Sequence, residues 1–149
     1  MSLETILSTL QVSLAQLLNR QDGGEGFAQK LYDYFLRAVP EAKPLFAHTN
    51  WEQQRKMLFS TLILTVNNLS RPLLFRTTII ALGERHVRYG AKPEYFPHFR
   101  SALHYALQSE LGQDYTPQVA EAWDYALNQV TELMQTAACP RDGISGTPR

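Results

Sequence analysis

Residues 82–96 read LGERHVRYGAKPEYF: a helical end carrying a histidine, a glycine stop and a proline restart. Ile79, Leu82 and His86 recur at three- and four-residue steps. On a helix, His86 therefore sits on the side of the apolar stripe. Gly90 closes that helix, and Pro93 opens the next. A polar ring on an apolar face needs a partner, because burying it alone costs about 1–3 kcal/mol. A metal at one ring nitrogen is such a partner. The other nitrogen can then donate to the carbonyl one turn back, that of Leu82.

The same periodicity extends in both directions. Upstream, Asn50 caps a long helix through Trp51, Leu58, Leu62, Val66 and Leu69. Ser70-Arg71-Pro72 breaks it and opens the helix of His86, with Pro72 in the first turn. Leu3, Ile6, Leu7, Leu10, Leu14, Leu17 and Leu18 mark a first amphipathic helix, which ends at Gln21-Asp22-Gly23-Gly24. A second covers 26–39, with Phe27, Leu31, Tyr34, Phe35 and Ala38 on its apolar side, and Pro40 turns a corner into a short helical segment, 40–46. Downstream, the helix from Pro93 carries Phe96, Phe99, Leu103 and Leu107 to Gly112. Thr116-Pro117 caps a last helix with Val119, Trp123, Ala126, Leu127, Val130, Leu133 and Met134. No segment alternates apolar and polar residues as a half-buried strand would. Six long helices plus one short one give an all-α class. Helix number alone does not fix their packing.

The 149 residues suit one domain. With 44% hydrophobic and 19% charged residues the chain is globular rather than disordered. Fourteen basic residues balance fourteen acidic ones, which argues against a strong electrostatic hold on nucleic acid or anionic lipid. Cys139 stands alone and makes no internal disulfide, in keeping with a reducing compartment. The opening MSLETILSTL carries an acid and no basic region, unlike a secretory signal. No apolar run approaches the roughly 18 residues of a membrane helix. A soluble, cytoplasmic protein is expected, with a domain over 1–137 and a disordered tail over 138–149.

The sequence has no phosphate-binding glycine loop, no paired-cysteine metal motif and no HExxH. The four histidines, His48, His86, His98 and His104, match no zinc spacing, and a lone histidine is ordinarily a surface or satisfied one. Only His86 has surroundings that ask for more. On residues alone, Tyr32 reads as a core aromatic, Gln54 as part of a solvated face, and Phe46 as a core anchor after a corner.

Four stretches, in order and at compatible separations, carry a resemblance: LYDYFLRAVPEAKPLF (31–46), QRKMLF (54–59), LGERHVRYGAKPEYF (82–96) and TPQVAEAWDYA (116–126). From about Leu10 to Met134 the chain resembles a globin. It is most similar to bacterial single-domain haemoglobins and the haem domain of flavohaemoglobins. The resemblance implies a globin fold with haem b (iron protoporphyrin IX) sandwiched between distal and proximal helices. It places His86 at the iron ligand, Phe46 at the phenylalanine that stacks on the porphyrin, and Leu82 and Phe96 in the proximal pocket. It places Tyr32 and Gln54 at the distal polar positions, with Gln53 the alternative one register away, and Leu58 at the distal apolar one. Lys56, Arg85 and Arg88 read as solvated, with one of them a candidate to pair with a haem propionate.

The implied function is reversible binding of dioxygen, and of nitric oxide and carbon monoxide, at a five-coordinate iron. A Tyr32 hydroxyl and a Gln54 amide would stabilise the negative charge that dioxygen acquires there, by about 1.5–3 kcal/mol per charged hydrogen bond. Two alternatives stand beside it: a nitric oxide dioxygenase or nitrite reductase, and a gas or redox sensor. A second copy of the chain is a further expected partner. Two departures from the family bear on the choice. Flavohaemoglobins continue into a reductase, whereas this sequence stops at Arg149, so electrons would come from a separate reductase. Their proximal histidine is supported by a tyrosine and a glutamate, where this chain has Phe96 and, nearby, Ala138. The imidazole then pushes less electron density, which favours ligand binding over bond cleavage.

Overall fold

Helix starts follow from side chains that satisfy the orphan backbone donors of a first turn. The structure, a computed structural model, describes residues 1–138. Of the expected tail over 138–149, everything from Cys139 on lies outside the described residues. Ser2 Oγ accepts from the Thr5 N–H at 3.2 Å and opens α1 (Leu3–Leu18). Asp22 serves α2 (Glu25–Ala38) from outside the helix: Oδ1 accepts from the Gly24 N–H at 2.9 Å and Oδ2 from the Gly26 N–H at 3.0 Å. After the Pro40 corner, Pro40–Phe46 is a 3-10 helix. Asn50 Oδ1 accepts from the Gln53 N–H at 3.2 Å and opens α3 (Trp51–Asn68). Pro72 lies in the first turn of α4 (Pro72–Tyr89). Gly90 ends α4 at φ 98°, and the Ala91 N–H returns to the His86 carbonyl at 2.9 Å.

The next boundary differs from the sequence reading. Pro93–Tyr95 is a single 3-10 turn, and α5 runs from Phe96 to Leu111. An α-helix beginning at Pro93 would need a bond from residue 97 to the carbonyl of 93. Residue 97 is a second proline, with no N–H to give. The Pro93 carbonyl instead accepts the 3-10 bond from the Phe96 N–H, and Gln135 Nε2 of the last helix reaches the same oxygen at 3.4 Å. A short 3-10 turn, Gly112–Asp114, follows α5. Thr116 Oγ1 then accepts from the Val119 N–H at 3.2 Å and opens α6 (Pro117–Ala138). No strand occurs among the described residues. None of their helices is long and apolar enough to cross a membrane.

The helices pack as crossed pairs: α2 lies on α5, α4 on α6, and α1 crosses α6. The shared core holds Leu10, Leu17, Phe27, Leu31, Leu103, Leu107 and Trp123, all essentially inaccessible to water. Trp123 brings a polar handle into that core, and Ser13 meets it. The indole N–H donates to Ser13 Oγ at 2.9 Å, and the Ser13 hydroxyl donates onward to the Thr9 carbonyl at 2.8 Å. Among the described residues no buried side-chain nitrogen or oxygen is left without a partner.

Two features shape the region around His86. The start of α2 presses against α3 at Gly24, whose φ is 92°; a Cβ there would sit 2.7 Å from Phe59 Cε2 and nearer still to Cζ. The consecutive helices α3 and α4, each 18 residues long, touch far less than α4 and α6 do. They splay apart. The 3-10 corner spans one end of the opening, where a Cβ on Gly90 would lie 3.0 Å from Leu45 Cδ2.

Candidate functional site: a lone imidazole and an aromatic wall

His86 stands in the last turn of α4 and is half-buried. Its Nδ1 lies 2.8 Å from the Leu82 carbonyl oxygen. A carbonyl only accepts, so Nδ1 carries the proton and Nε2 presents its lone pair. Burial pushes the imidazole below its ordinary pKa, and the Arg85 charge adds to that, against the opposing pull of the Leu82 carbonyl. The ring is therefore neutral at neutral pH, the form that binds a metal. The tautomer is set by a bond within its own helix. Nε2 makes no hydrogen bond among the described residues.

The other three histidines are occupied or outward. His48 and His98 are exposed. His104 binds Tyr115 Oη at 2.8 Å and Asp124 Oδ1 at 2.7 Å, where Arg100 also holds Asp124; the group ties α5 to α6.

Tyr32, on α2, is buried among aromatic rings. Its ring meets Phe46 edge-on at 6.0 Å and Trp51 at 5.3 Å, and Phe46 and Trp51 stack at 5.5 Å. Gln54 Nε2 donates to Tyr32 Oη at 2.9 Å. An amide nitrogen can only donate, so the phenol oxygen is the acceptor and its own hydrogen is free for another group. Burial raises the Tyr32 pKa, with the Gln54 bond opposing, and the phenol stays protonated at neutral pH. Of the two neighbouring glutamines, Gln54 is the one that meets Tyr32. Gln53 is exposed and lines a surface hollow with Asn50, Glu52 and Lys56.

Leu58 lies one turn beyond Gln54 and is buried, as is Phe96; Phe46 and Leu82 are half-buried. Trp51 did not stand out in the sequence as a site residue. Its position three before Gln54, one helical turn on the same face, was the available signal. Phe96 places no hydroxyl beside the imidazole. The buried Tyr95 packs its ring edge-on against Phe35 at 6.4 Å.

These residues suit one kind of occupant. Among the described residues no three His, Cys, Asp or Glu side chains converge as a metal-ion site. A single neutral imidazole holds a metal well only when the metal brings its other ligands with it. Apolar side chains remain wet on the elements around His86: Leu45 of the corner, Met57 of α3 and Val87 of α4 are 42%, 52% and 42% exposed. Helices splayed apart, apolar side chains left wet and one free Nε2 fit a flat metal-bearing macrocycle.

Comparison with other proteins agrees. Residues 29–134 match the family model described as Globin. A flavohemoprotein from Bacillus subtilis is 27% identical over 133 residues, covering 88% of this chain and 32% of the relative. One from Xylella fastidiosa is 30% identical over 108 residues, covering 70% of this chain and 27% of the relative. The chain thus spans about a third or less of the length of these relatives. Among solved structures, a Pseudomonas aeruginosa protein described as structurally highly homologous to human haemoglobin has a TM-score of 0.79 at 19% identity, covering 91% of this chain and 99% of that one. An engineered carbene transferase from Rhodothermus marinus, described as a putative nitric oxide dioxygenase, has a TM-score of 0.74 at 21% identity, covering 91% and 92%. A bacterial globin from Campylobacter jejuni has 0.74 at 19%, covering 91% and 95%.

Proposed function

This chain belongs to the globin family, and from that premise we propose that it holds haem b between α3 and α4 and binds dioxygen and other diatomic gases reversibly. Bound there, haem would supply a redox-active iron able to take up a diatomic ligand. His86 offers Nε2 as the protein's iron ligand, with its ring fixed by the Leu82 carbonyl. Phe46, Leu58, Leu82 and Phe96 supply apolar surface for the macrocycle and keep water from the site.

The observation that carries this reading is the direction of the Gln54–Tyr32 hydrogen bond. Gln54 donates to the phenol oxygen and so turns the Tyr32 hydroxyl into a free donor. That donor favours a ligand that acquires negative charge, and dioxygen does so more than carbon monoxide. The decisive experiment is the absorption spectrum of the purified protein, oxidised, reduced and with carbon monoxide or dioxygen. A Soret band with a stable ferrous-oxy form is the expected result, and a colourless protein from haem-replete cells overturns it.

A second reading is nitric oxide dioxygenation or nitrite reduction in the cytoplasm with electrons from a separate reductase. The names flavohemoprotein and putative nitric oxide dioxygenase among its relatives favour it. The proximal side favours binding: Nδ1 meets a neutral carbonyl, and Phe96 cannot hydrogen-bond the ring, so electron push is weak. Multiple turnovers of nitric oxide with a reductase present select the enzyme; a single equivalent selects the binding protein.

A further inference from the structure

A groove of about 390 Å³ runs along the outside of the first turns of α2 and the start of α3. Its apolar lining is Ala28, Tyr32, Leu36 and Trp51, and its polar lining is Glu25, Gln29, Asp33 and Arg55. The volume falls in the range of small-molecule sites. The groove is not the opening between α3 and α4, yet the two share Tyr32. That residue lines the groove while its hydroxyl oxygen is held by Gln54. Adjacent residues of α3 thus reach α2 at two points. Gln54 binds Tyr32, and Arg55 Nη2 pairs with Glu25 Oε1 at 3.3 Å. The second contact bridges the two helices at the groove. It is partly solvated, with Glu25 58% exposed, so it breaks and reforms easily and weakens with salt.

We propose that this groove is a port through which small uncharged diatomic ligands reach the distal side of the pocket, passing the Tyr32 ring, with the Glu25–Arg55 pair as its latch. The proposal rests on the gas-binding reading above. The lining is mixed: Ala28, Tyr32, Leu36 and Trp51 give an apolar diatomic a surface to rest on, beside the charges of Glu25, Asp33 and Arg55. Opening separates the ion pair at the groove and shifts the buried Tyr32 ring against Phe46 and Trp51, pivoting about the hydroxyl oxygen that Gln54 holds. The Tyr32–Gln54 bond stays intact during entry, so the port governs how fast a ligand arrives and not how tightly it is held.

The test is carbon monoxide rebinding after flash photolysis of the haem-loaded protein, together with crystals of that protein under xenon pressure. Glu25→Ala removes the latch and should raise the association rate several-fold. It should also abolish the acceleration that added salt produces in the parent. Gln29→Trp, at an exposed lining position, fills the groove from the surface and should lower the rate several-fold. Carbon monoxide dissociation should be parental in both. Xenon should occupy the groove in the parent and be absent in Gln29→Trp. A parental association rate in Gln29→Trp overturns the port, as does a groove without xenon; a parental rate in Glu25→Ala overturns the latch. Protein that takes up haem and carbon monoxide normally but shows these null results loses the port alone. Protein that takes up no haem loses both the port and the gas-binding reading.

Discussion

The phenol of Tyr32 and the imidazole of His86 owe their chemistry to single hydrogen bonds. Each bond spends one atom and leaves the other free. For Tyr32 the free atom is the hydroxyl hydrogen, because Gln54 donates to the oxygen. Tyr32→Phe should therefore speed dioxygen release about 10–100-fold, the equivalent of one hydrogen bond to a charged group. Carbon monoxide release should change little. Stopped-flow displacement measures both, and an unchanged dioxygen off-rate removes Tyr32 from the mechanism. Gln54→Leu keeps the hydroxyl but loses its orienting partner, so its off-rate should fall between those of the parent and Tyr32→Phe. For His86 the free atom is Nε2. His86→Ala should lose the five-coordinate ferrous spectrum, and added imidazole should restore an axial ligand in the space left by the side chain.

At the scale of elements, the start of α2 shows how a local sequence fixes a helix and its crossing. Gly24 takes φ 92° and packs under the Phe59 ring, and a side chain there would meet both obstacles. Gly24→Ala should cost about 2–5 kcal/mol, combining left-handed strain with overpacking, as read by chemical denaturation. Asp22 bonds two amides of the same turn, from Gly24 and Gly26, and those N–H groups hold its carboxyl below the ordinary carboxylate range. A carboxyl with a lowered folded-state pKa binds its proton more readily when unfolded. Its stabilisation is thus full above the unfolded value and disappears as pH falls through the folded one. Asp22→Ala should lower stability by about 1 kcal/mol near neutral pH, the usual worth of a helix cap. The difference from the parent should vanish in acid denaturation scans below the folded value. A difference that persists there assigns the loss to something other than the carboxylate.

Most of the elements were legible because their signals are short-range. Asn50, Pro72, Gly90 and Thr116 each mark a boundary through one backbone bond or one missing donor. The start of α5 was less legible: Pro93 looks like a helix opener until Pro97 is counted as the missing donor one turn on. Among site residues, His86 could be singled out from its own stripe and its one-turn-back carbonyl. Tyr32 and Gln54 could not, because they lie 22 residues apart and on residues alone read as core and solvent. Only the resemblance joined them. Trp51 and the groove it lines depend on how α2 crosses α3, which periodicity does not encode.

Across the whole molecule, tight packing and an open seam coexist. The α2–α5 and α4–α6 pairs, with Trp123 and Ser13 at the α1–α6 crossing, form the packed part. On the two helices of the open seam, α3 and α4, Met57 and Val87 are wet. A macrocycle filling that seam should stabilise the native state by mass action, by about 4 kcal/mol at a free concentration a thousand times its dissociation constant. Removing it should lower the melting temperature and raise amide exchange first in α3, which its other neighbours hold only lightly, while α2 and α5 stay protected. Uniform loss of protection along the chain would contradict this division.

The tether between the His86 ring and the carbonyl one turn behind it has a mechanical corollary. Because the imidazole is anchored to its own helix and to no neighbour, ring and helix travel together as a stiff lever. With a metal held at Nε2, a tug on that metal would be passed through the ring to α4. It then reaches the long last helix against which α4 lies.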